Sequence, residues 1–372
     1  MFVKGVGMTN FGAQPDLSHE LVYDATMEAL DDANISLEEI DSIVVSTTDT
    51  ESNGERQRLY SGILSSILKK NVPIINPTAV CGGGGAAIWA ANKLNYDKVL
   101  VVGVERLLAT NSANVTDEIL MAAERIYEQT EGLNFPAQNA LVAQRYMLKY
   151  KANSNDLALV ALKNHDNAFL NPKARFYKKK VTLKQIEQSH IVASPLRLFD
   201  CSLSVNGAAA AILTKEKTDI EIVGSSLYVD RLAAFESEDM TTWDSSRLAA
   251  EDAYRQANIT PDDLDIAELH DAFTSVELIS YEDLKFCKKG EAKNLIRNGT
   301  TKLNGKLPVN ASGGLKAKGH PISATGISQF YELVRQMHNQ AGERQVGNIN
   351  YALAQNIGGA GSTTSVHILK KV

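Results

Sequence analysis

Apolar and small residues recur along this chain at helical spacing and in short unbroken runs, and they do so twice. Alanines stand at positions 25, 29 and 33, and again at 249, 253 and 257. A spacing of four lays one packed stripe along a helix, so each set predicts a helix with a buried face. Asn34 and Asn258, 224 residues apart, suit the left-handed position at which a helix stops. Ser36 and Thr260 follow, each ahead of acidic residues, and are expected to cap a short helical turn. An apolar strand comes next in both places, Ile43-Val44-Val45 and Ile266-Ala267-Glu268-Leu269. A repeat of this length marks a duplicated unit.

The two copies keep a common rhythm further on. In the first, a glycine-rich turn at 81–85 leads into a helical run over Ala86–Leu94 and the strand Val99–Val104. In the second, a turn at 312–321 leads into a helix over Ile322–His338 and the strand Ile349–Ala354. Strands alternating with helices predict an α/β protein, with mainly parallel sheets covered by helices. The expected halves are residues 1–218 and 219–372. The first carries an insertion of roughly 90 residues, about 113–203, richer in helix formers and basic side chains (Arg145, Lys149, Lys151, Lys163, Lys173, Arg175). Such an excursion is a natural place for a lid or a ligand-binding subdomain.

Composition narrows the function classes. With 372 residues, 44% hydrophobic and 22% charged, the chain has material for two packed units. A net charge of −6 argues against non-specific nucleic-acid binding, and Lys178–Lys180 and Lys288–Lys289 read as solvated surface. No signal peptide and no membrane-spanning run of 18 apolar residues is evident, so a soluble, cytoplasmic protein is expected. The cysteines, Cys81, Cys201 and Cys287, form no CxxC pair, which speaks against a disulfide framework or a thiolate zinc site.

Four loops carry the candidate chemistry. Cys81-Gly82-Gly83-Gly84-Gly85 precedes a helix, where the positive end of the helix favours a thiolate and free N–H groups can meet an anion. Its alternative is a small cysteine in a tight turn. His270-Asp271-Ala272-Phe273 ends an apolar strand, the edge at which α/β sheets bind ligands. Alternatively, Asp271 caps the next helix and His270 is merely packed. In Ser312-Gly313-Gly314 to Gly319-His320-Pro321, Pro321 fits the first helical position and leaves His320 outside. Helix capping explains these glycines but explains His320 poorly. Gln355-Asn356-Ile357-Gly358-Gly359 leads into a glycine-rich turn between strands, unremarkable by itself. Together, one activatable cysteine, two junction histidines and a glycine turn spread over both halves point to acyl transfer. No metal-ligand spacing, GxxxxGKS loop or GxGxxG fingerprint is present.

At these loops the chain resembles the thiolase superfamily, essentially over residues 1–372. The resemblance implies a layered α-β-α-β-α fold of two duplicated halves, with an inserted loop domain. It implies a nucleophilic Cys81, activated by His320 of the Gly-His-Pro motif, and an acyl-CoA substrate with no permanently bound cofactor. In the implied ping-pong scheme, N–H groups of Cys81 and Gly358 stabilise the oxyanion beside Asn356, and His270 with His320 polarises the second thioester. Ser312 and Gly313 are candidate contacts to coenzyme A. His270-Asp271-Ala272-Phe273 is similar to the sterol-carrier branch, particularly its archaeal and bacterial members.

The departures leave a gap. Many thiolases place a second, acid/base cysteine where this chain has Asn356, and the sterol-carrier branch places it where this chain has Ala272. Cys201 reads as structural, and Cys287 is a candidate to reach the site from a loop. The leading expectation is an acetyl-CoA C-acetyltransferase. A retro-aldol lyase acting on 3-hydroxyacyl-CoA and a non-catalytic acyl-CoA-binding scaffold are the alternatives. The resemblance also implies a homodimer or homotetramer, with possible partners in a zinc-ribbon/OB-fold protein and an HMG-CoA synthase.

Overall fold

The computed structural model describes residues 1–48, 53–109 and 111–372. Strand β1 (Phe2–Met8) precedes helix α1 (Ser18–Ala33), whose Ala25, Ala29 and Ala33 are buried as their spacing demands. The strand meets the helix backbone so closely that a Cβ on Gly5 would lie 2.5 Å from Ala33 N. Small residues on both sides make that approach possible. Asn34 ends the helix at φ 51°, and Ser36 with Glu39 forms a capping box on a short turn before β2 (Ser42–Ser46). The second copy repeats this in α8 (Asp244–Ala257), Asn258 at φ 54°, Thr260 with Asp263, and β9 (Ile266–Glu268).

The remaining elements of the first half are α2 (Tyr60–Leu68), β3 (Ile74–Ile75), α3 (Gly83–Lys93), β4 (Lys98–Arg106) and β7 (Asn206–Thr214). Between β4 and β7 run α4 (Ser112–Leu120), α5 (Phe135–Tyr150), α6 (Ser154–Phe169), α7 (Leu183–Gln188) and a small hairpin, β5 (Ile191–Ala193) with β6 (Leu196–Arg197). The second half adds β8 (Ile220–Val229), α9 (Thr274–Asp283), α10 (Ala292–Arg297), α11 (Thr325–Met337), β10 (Tyr351–Gly358) and β11 (Thr363–Lys371).

The strands form one nine-stranded sheet in the order β3-β2-β4-β7-β1-β8-β11-β10-β9. Its two halves meet between β1 and β8, where Phe2 pairs with Glu221 and Ile222 N–H donates to Met1 O at 2.9 Å. Outward from that seam the halves mirror each other, and Val309 bridges Ala267 in parallel where β3 pairs with β2 in the first half. The sheet is mixed rather than mainly parallel. Only β3-β2-β4 and β9-β10 run parallel, while β7 is antiparallel to both β4 and β1, and β11 to both β10 and β8. Strands such as β7, buried along their whole length, read as plain apolar runs in either direction.

Alternation along β4 shows the layering. Val99 and Val101 face a core shared with Ala87 and Ile88 of α3, Phe330 of α11 and Ala352 of β10. Leu100, Val102 and Val104 face the opposite core under α1. Helix α8 covers the outer face of the second half, where Ala249 and Ala253 pack with Val366 and Ile368. The order is therefore α, β, α, β, α, with α3 and α11 in the middle. The insertion is anchored on the second half, with Tyr146 and Val160 packed against Leu278 and Tyr281. Three of its six named basic side chains form ion pairs: Lys163 with Glu277 at 2.7 Å, Lys149 with Asp239 at 2.6 Å and Lys173 with Glu28 at 2.7 Å.

Candidate active site

Cys81 lies in a short turn, Val80–Gly82, that runs directly into α3. Val80 is held at φ 46°, a left-handed conformation that a β-branched residue adopts only under constraint from its surroundings. The glycines are not a loop: Gly83, Gly84 and Gly85 are the first residues of the buried helix. A Cβ on Gly82 would lie 2.9 Å from Gly358 N, and one on Gly84 would lie 2.7 Å from Gly326 N. Their function here is close packing of the middle layer. The Gly85 N–H, expected to be free for an anion, donates to Asn356 Oδ1 at 2.9 Å.

That bond fixes more than the turn. An N–H can only donate, so the oxygen of the Asn356 amide faces Gly85 and its nitrogen faces the other way. Asn356 Nδ2 donates to the Cys81 carbonyl at 2.9 Å and reaches His270 Nδ1 at 3.0 Å. His270 Nδ1 is thereby the acceptor, and the ring proton sits on Nε2. Burial first, and His320 second, hold the His270 pKa well below the ordinary imidazole range, so the ring stays neutral.

The two imidazoles stand edge to face with centroids 5.3 Å apart. His320 Nδ1 lies 2.7 Å from Thr325 Oγ1, a hydroxyl that can donate or accept and so tolerates either tautomer. Burial and the nearby Lys318 push His320 down to about 3. Asp271 does not cap the helix that follows it. Its buried carboxylate accepts from Leu315 N at 2.6 Å and Asn164 Nδ2 at 2.7 Å, holding the turn Gly314–Lys318 that precedes His320.

Cys81 departs from the expected resting thiolate. Burial first, and Glu105 second, push its thiol up to about 12, against the N–H groups of Cys81 and Gly359, which favour the anion. The helix end contributes only about 0.3–1 kcal/mol, too little to overcome removal from water. The resting pair is therefore neutral thiol and neutral imidazole. Glu105, at the end of β4, accepts from Ser323 Oγ at 2.9 Å. A carboxylate closing an otherwise apolar strand was the sequence signal for it. His367 also escaped the sequence reading. Its Nε2–H donates to Gly85 O at 3.1 Å and its Nδ1 accepts from Ser225 Oγ at 3.1 Å, bracing the same helix start.

Cys81, His270 and His320 line one cavity of about 170 Å³, walled mainly by apolar side chains such as Leu107, Phe135, Trp243 and Val276. Gly359 lines it too. Gly358, the residue expected there, instead packs against Gly82. Ser312 and Gly313 stay outside the lining: Ser312 bonds Glu268 through N–H and Oγ at 2.9 and 2.6 Å, and a Cβ on Gly313 would meet Ala168. Cys287 lines a separate hollow with Lys288, Lys289 and Glu291, beyond the far end of the helix that starts beside His270. Cys201, read as structural, lines the cavity with Cys81. Among the described residues no group of three or more His, Cys, Asp or Glu side chains could hold a metal, and no helix is long and apolar enough to cross a membrane.

Residues 2–195 match the family model for the thiolase N-terminal domain, and residues 227–371 the model described as thiolase C-terminal domain-like. The chain belongs to the thiolase superfamily. It is 36% identical to the acetyl-CoA acetyltransferase of Methanothermobacter thermautotrophicus over 99% of both chains. The same identity holds for the acetyl-CoA acetyltransferase of Methanocaldococcus jannaschii, over 99% of this chain and 98% of that one. Sterol carrier protein 2 of Gallus gallus is 33% identical over 97% of this chain and 70% of its own length. Among solved structures, the Ltp2-ChsH2(DUF35) aldolase superposes with a TM-score of 0.83 at 25% identity, over 100% of this chain and 97% of that one. A monomeric SCP2-thiolase-like protein from Mycobacterium smegmatis, at 17% identity over 99% of this chain and 77% of that one, shares the fold with a TM-score of 0.72. This thiolase-superfamily chain is an acyltransferase.

Proposed function

We propose that the chain is an acetyl-CoA C-acetyltransferase that condenses two acetyl-CoA to acetoacetyl-CoA, or runs the reverse thiolysis, through an acyl-Cys81 intermediate. The observation that carries this reading is the convergence of Cys81, His270 and His320 on one mainly apolar cavity, with His270 turned into an Nε2–H donor by Asn356. The whole-length likeness to two archaeal acetyl-CoA acetyltransferases supports it.

A neutral thiol needs a base at the moment of attack, and His320 is neutral and able to take its proton. The N–H groups of Cys81 and Gly359, already directed at the sulfur, then stabilise the oxyanion that forms beside it. His270 Nε2–H polarises the thioester oxygen of the second substrate. Coenzyme A thioesters are substrates here, and no resident cofactor is required. The division of the chain into halves is placed at residues 218 and 219, between β7 and β8.

The aldolase neighbour favours a second reading, retro-aldol cleavage of a 3-hydroxyacyl-CoA, which needs no cysteine nucleophile. Acetoacetyl-CoA with free CoA in one assay, and a 3-hydroxyacyl-CoA in another, separate the two. Acetyl-CoA formation abolished by Cys81→Ala supports the transferase. Cleavage of the 3-hydroxy substrate alone, indifferent to Cys81→Ala, transfers the site to the lyase, and silence in both assays leaves a binding scaffold. The same neighbour contains a DUF35 component, in line with a zinc-ribbon/OB-fold partner here, alongside an HMG-CoA synthase. A stable homo-oligomer that is fully active alone argues against such a complex.

A further inference from the structure

The proposed reaction leaves one proton without a holder. Cleaving the C2–C3 bond of a 3-ketoacyl thioester releases a carbanion at C2, which must be protonated inside the cavity. His270 is committed: its Nδ1 accepts from Asn356 and its Nε2–H serves an oxygen. His320 holds the proton taken from Cys81. Of the other proton-bearing side chains among the described residues that line the cavity, the hydroxyls of Thr116, Ser202 and Ser204 and the thiol of Cys201, the thiol is intrinsically the most acidic.

Its position fits. Cys201 is bridged to Phe273, and the N–H of Ser202 donates to Ala272 O at 2.8 Å, so this stretch lies against the segment that carries His270. The Cys201 thiol donates to Arg197 O at 3.5 Å, and because S–H is a weak donor this bond costs little to give up. The buried Lys316 places Nζ 3.2 Å from the Cys201 carbonyl, a cation close enough to favour the thiolate left after donation.

We propose that Cys201 is the general acid/base of the carbon–carbon step. This rests on the transferase reading above. In thiolysis the Cys81 sulfur, its proton on His320, bonds to C3 of the 3-ketoacyl group. The C2–C3 bond breaks, its electron pair goes to C2, and C2 takes the proton of Cys201. Free CoA then enters and gives its thiol proton to the Cys201 thiolate as its sulfur attacks the acyl carbon. Cys81 leaves as thiolate and recovers its proton from His320, so every group ends as it began. Burial pushes the Cys201 thiol up to about 11 despite Lys316, so it is protonated when the 3-ketoacyl substrate arrives.

The test compares wild type with Cys201→Ser and Cys201→Ala in two assays. Thiolysis of acetoacetyl-CoA is expected to fall by roughly 10²–10⁴ in both variants, the usual span for general acid catalysis. Acetylation of Cys81 by acetyl-CoA, read by intact mass, is expected to stay within about tenfold, because a CoA thiolate leaves with little help and a carbanion does not. Retained acetylation also shows that the variants fold. Thiolysis within about threefold of wild type in Cys201→Ser, or both assays falling by one common factor, overturns the assignment and leaves Cys201 as cavity wall. A wild type that neither acetylates nor thiolyses removes the transferase reading itself, and this assignment with it.

Discussion

Asn356 holds three partners with one amide: Gly85 N–H, the Cys81 carbonyl and His270 Nδ1. Replacing it with alanine leaves the Gly85 N–H unpaired and lets His270 choose its tautomer. We expect Asn356→Ala to lower kcat by roughly 10²–10³ with a smaller change in KM, in the manner of losing an oxyanion donor. Asn356→Asp keeps an acceptor for Gly85 but presents a second acceptor to His270 Nδ1, which favours Nδ1–H and strips the proton from Nε2. Its kcat should therefore fall below that of the alanine variant, and a kcat above it contradicts the tautomer argument. In the sequence, Asn356 showed as part of the candidate oxyanion turn and as the residue standing where an acid/base cysteine was expected. Its role arises from a bond to Gly85, 271 positions away, and no local pattern announces such a pairing. The same holds for Cys201, whose neighbours Ala272 and Phe273 come from the other half.

At the scale of elements, the helices and strands were legible because periodicity and caps are local: the alanine stripes, Asn34 and Asn258 at left-handed φ, and the boxes at Ser36 and Thr260. Strand direction was not legible, since β7 is buried on both faces and its pattern is the same either way. The glycines before α3 were read as a loop, yet they form the start of a helix pressed on Gly326 and Gly358. Gly84→Ala should cost about 1–3 kcal/mol by overpacking, read as a lower urea midpoint with an unchanged slope. His367, beneath the same helix start, gives a prediction with a sign. Burial lowers its pKa to about 4, so the folded chain stays neutral while the unfolded chain binds a proton below its ordinary pKa of about 6.5. The stability it lends is present above pH about 6.5 and is lost as pH falls toward about 4. Relative to His367→Gln, wild type should lose about 1.4 kcal/mol per pH unit across that window, measured by urea unfolding at several pH values. Parallel pH dependence in the two proteins contradicts it.

For the whole molecule, duplication explains why the site exists where it does. Two half-sheets share a middle layer of α3 and α11, so the start of α3 from one half meets the ends of β9 and β10 from the other. The repeat showed the duplication in the sequence and the family resemblance implied the layering; the seam at Phe2 and Glu221 and the anchoring of the insertion did not show. That anchoring includes a buried ion pair, Lys163 with Glu277, at 2% and 0% exposure. Removing one partner strands the other, so Lys163→Met should destabilise by about 3–5 kcal/mol and lower Tm, whereas a surface pair such as Lys306 with Asp262 should cost at most about 1 kcal/mol. The central claim, that acyl groups pass through Cys81, is tested most directly by incubating the protein with acetyl-CoA and measuring intact mass, followed by peptide mapping. The account predicts one acetyl group, on Cys81, absent in Cys81→Ala and discharged by free CoA. A chain that stays unmodified, or carries the acetyl group elsewhere and still turns over acetoacetyl-CoA, contradicts it.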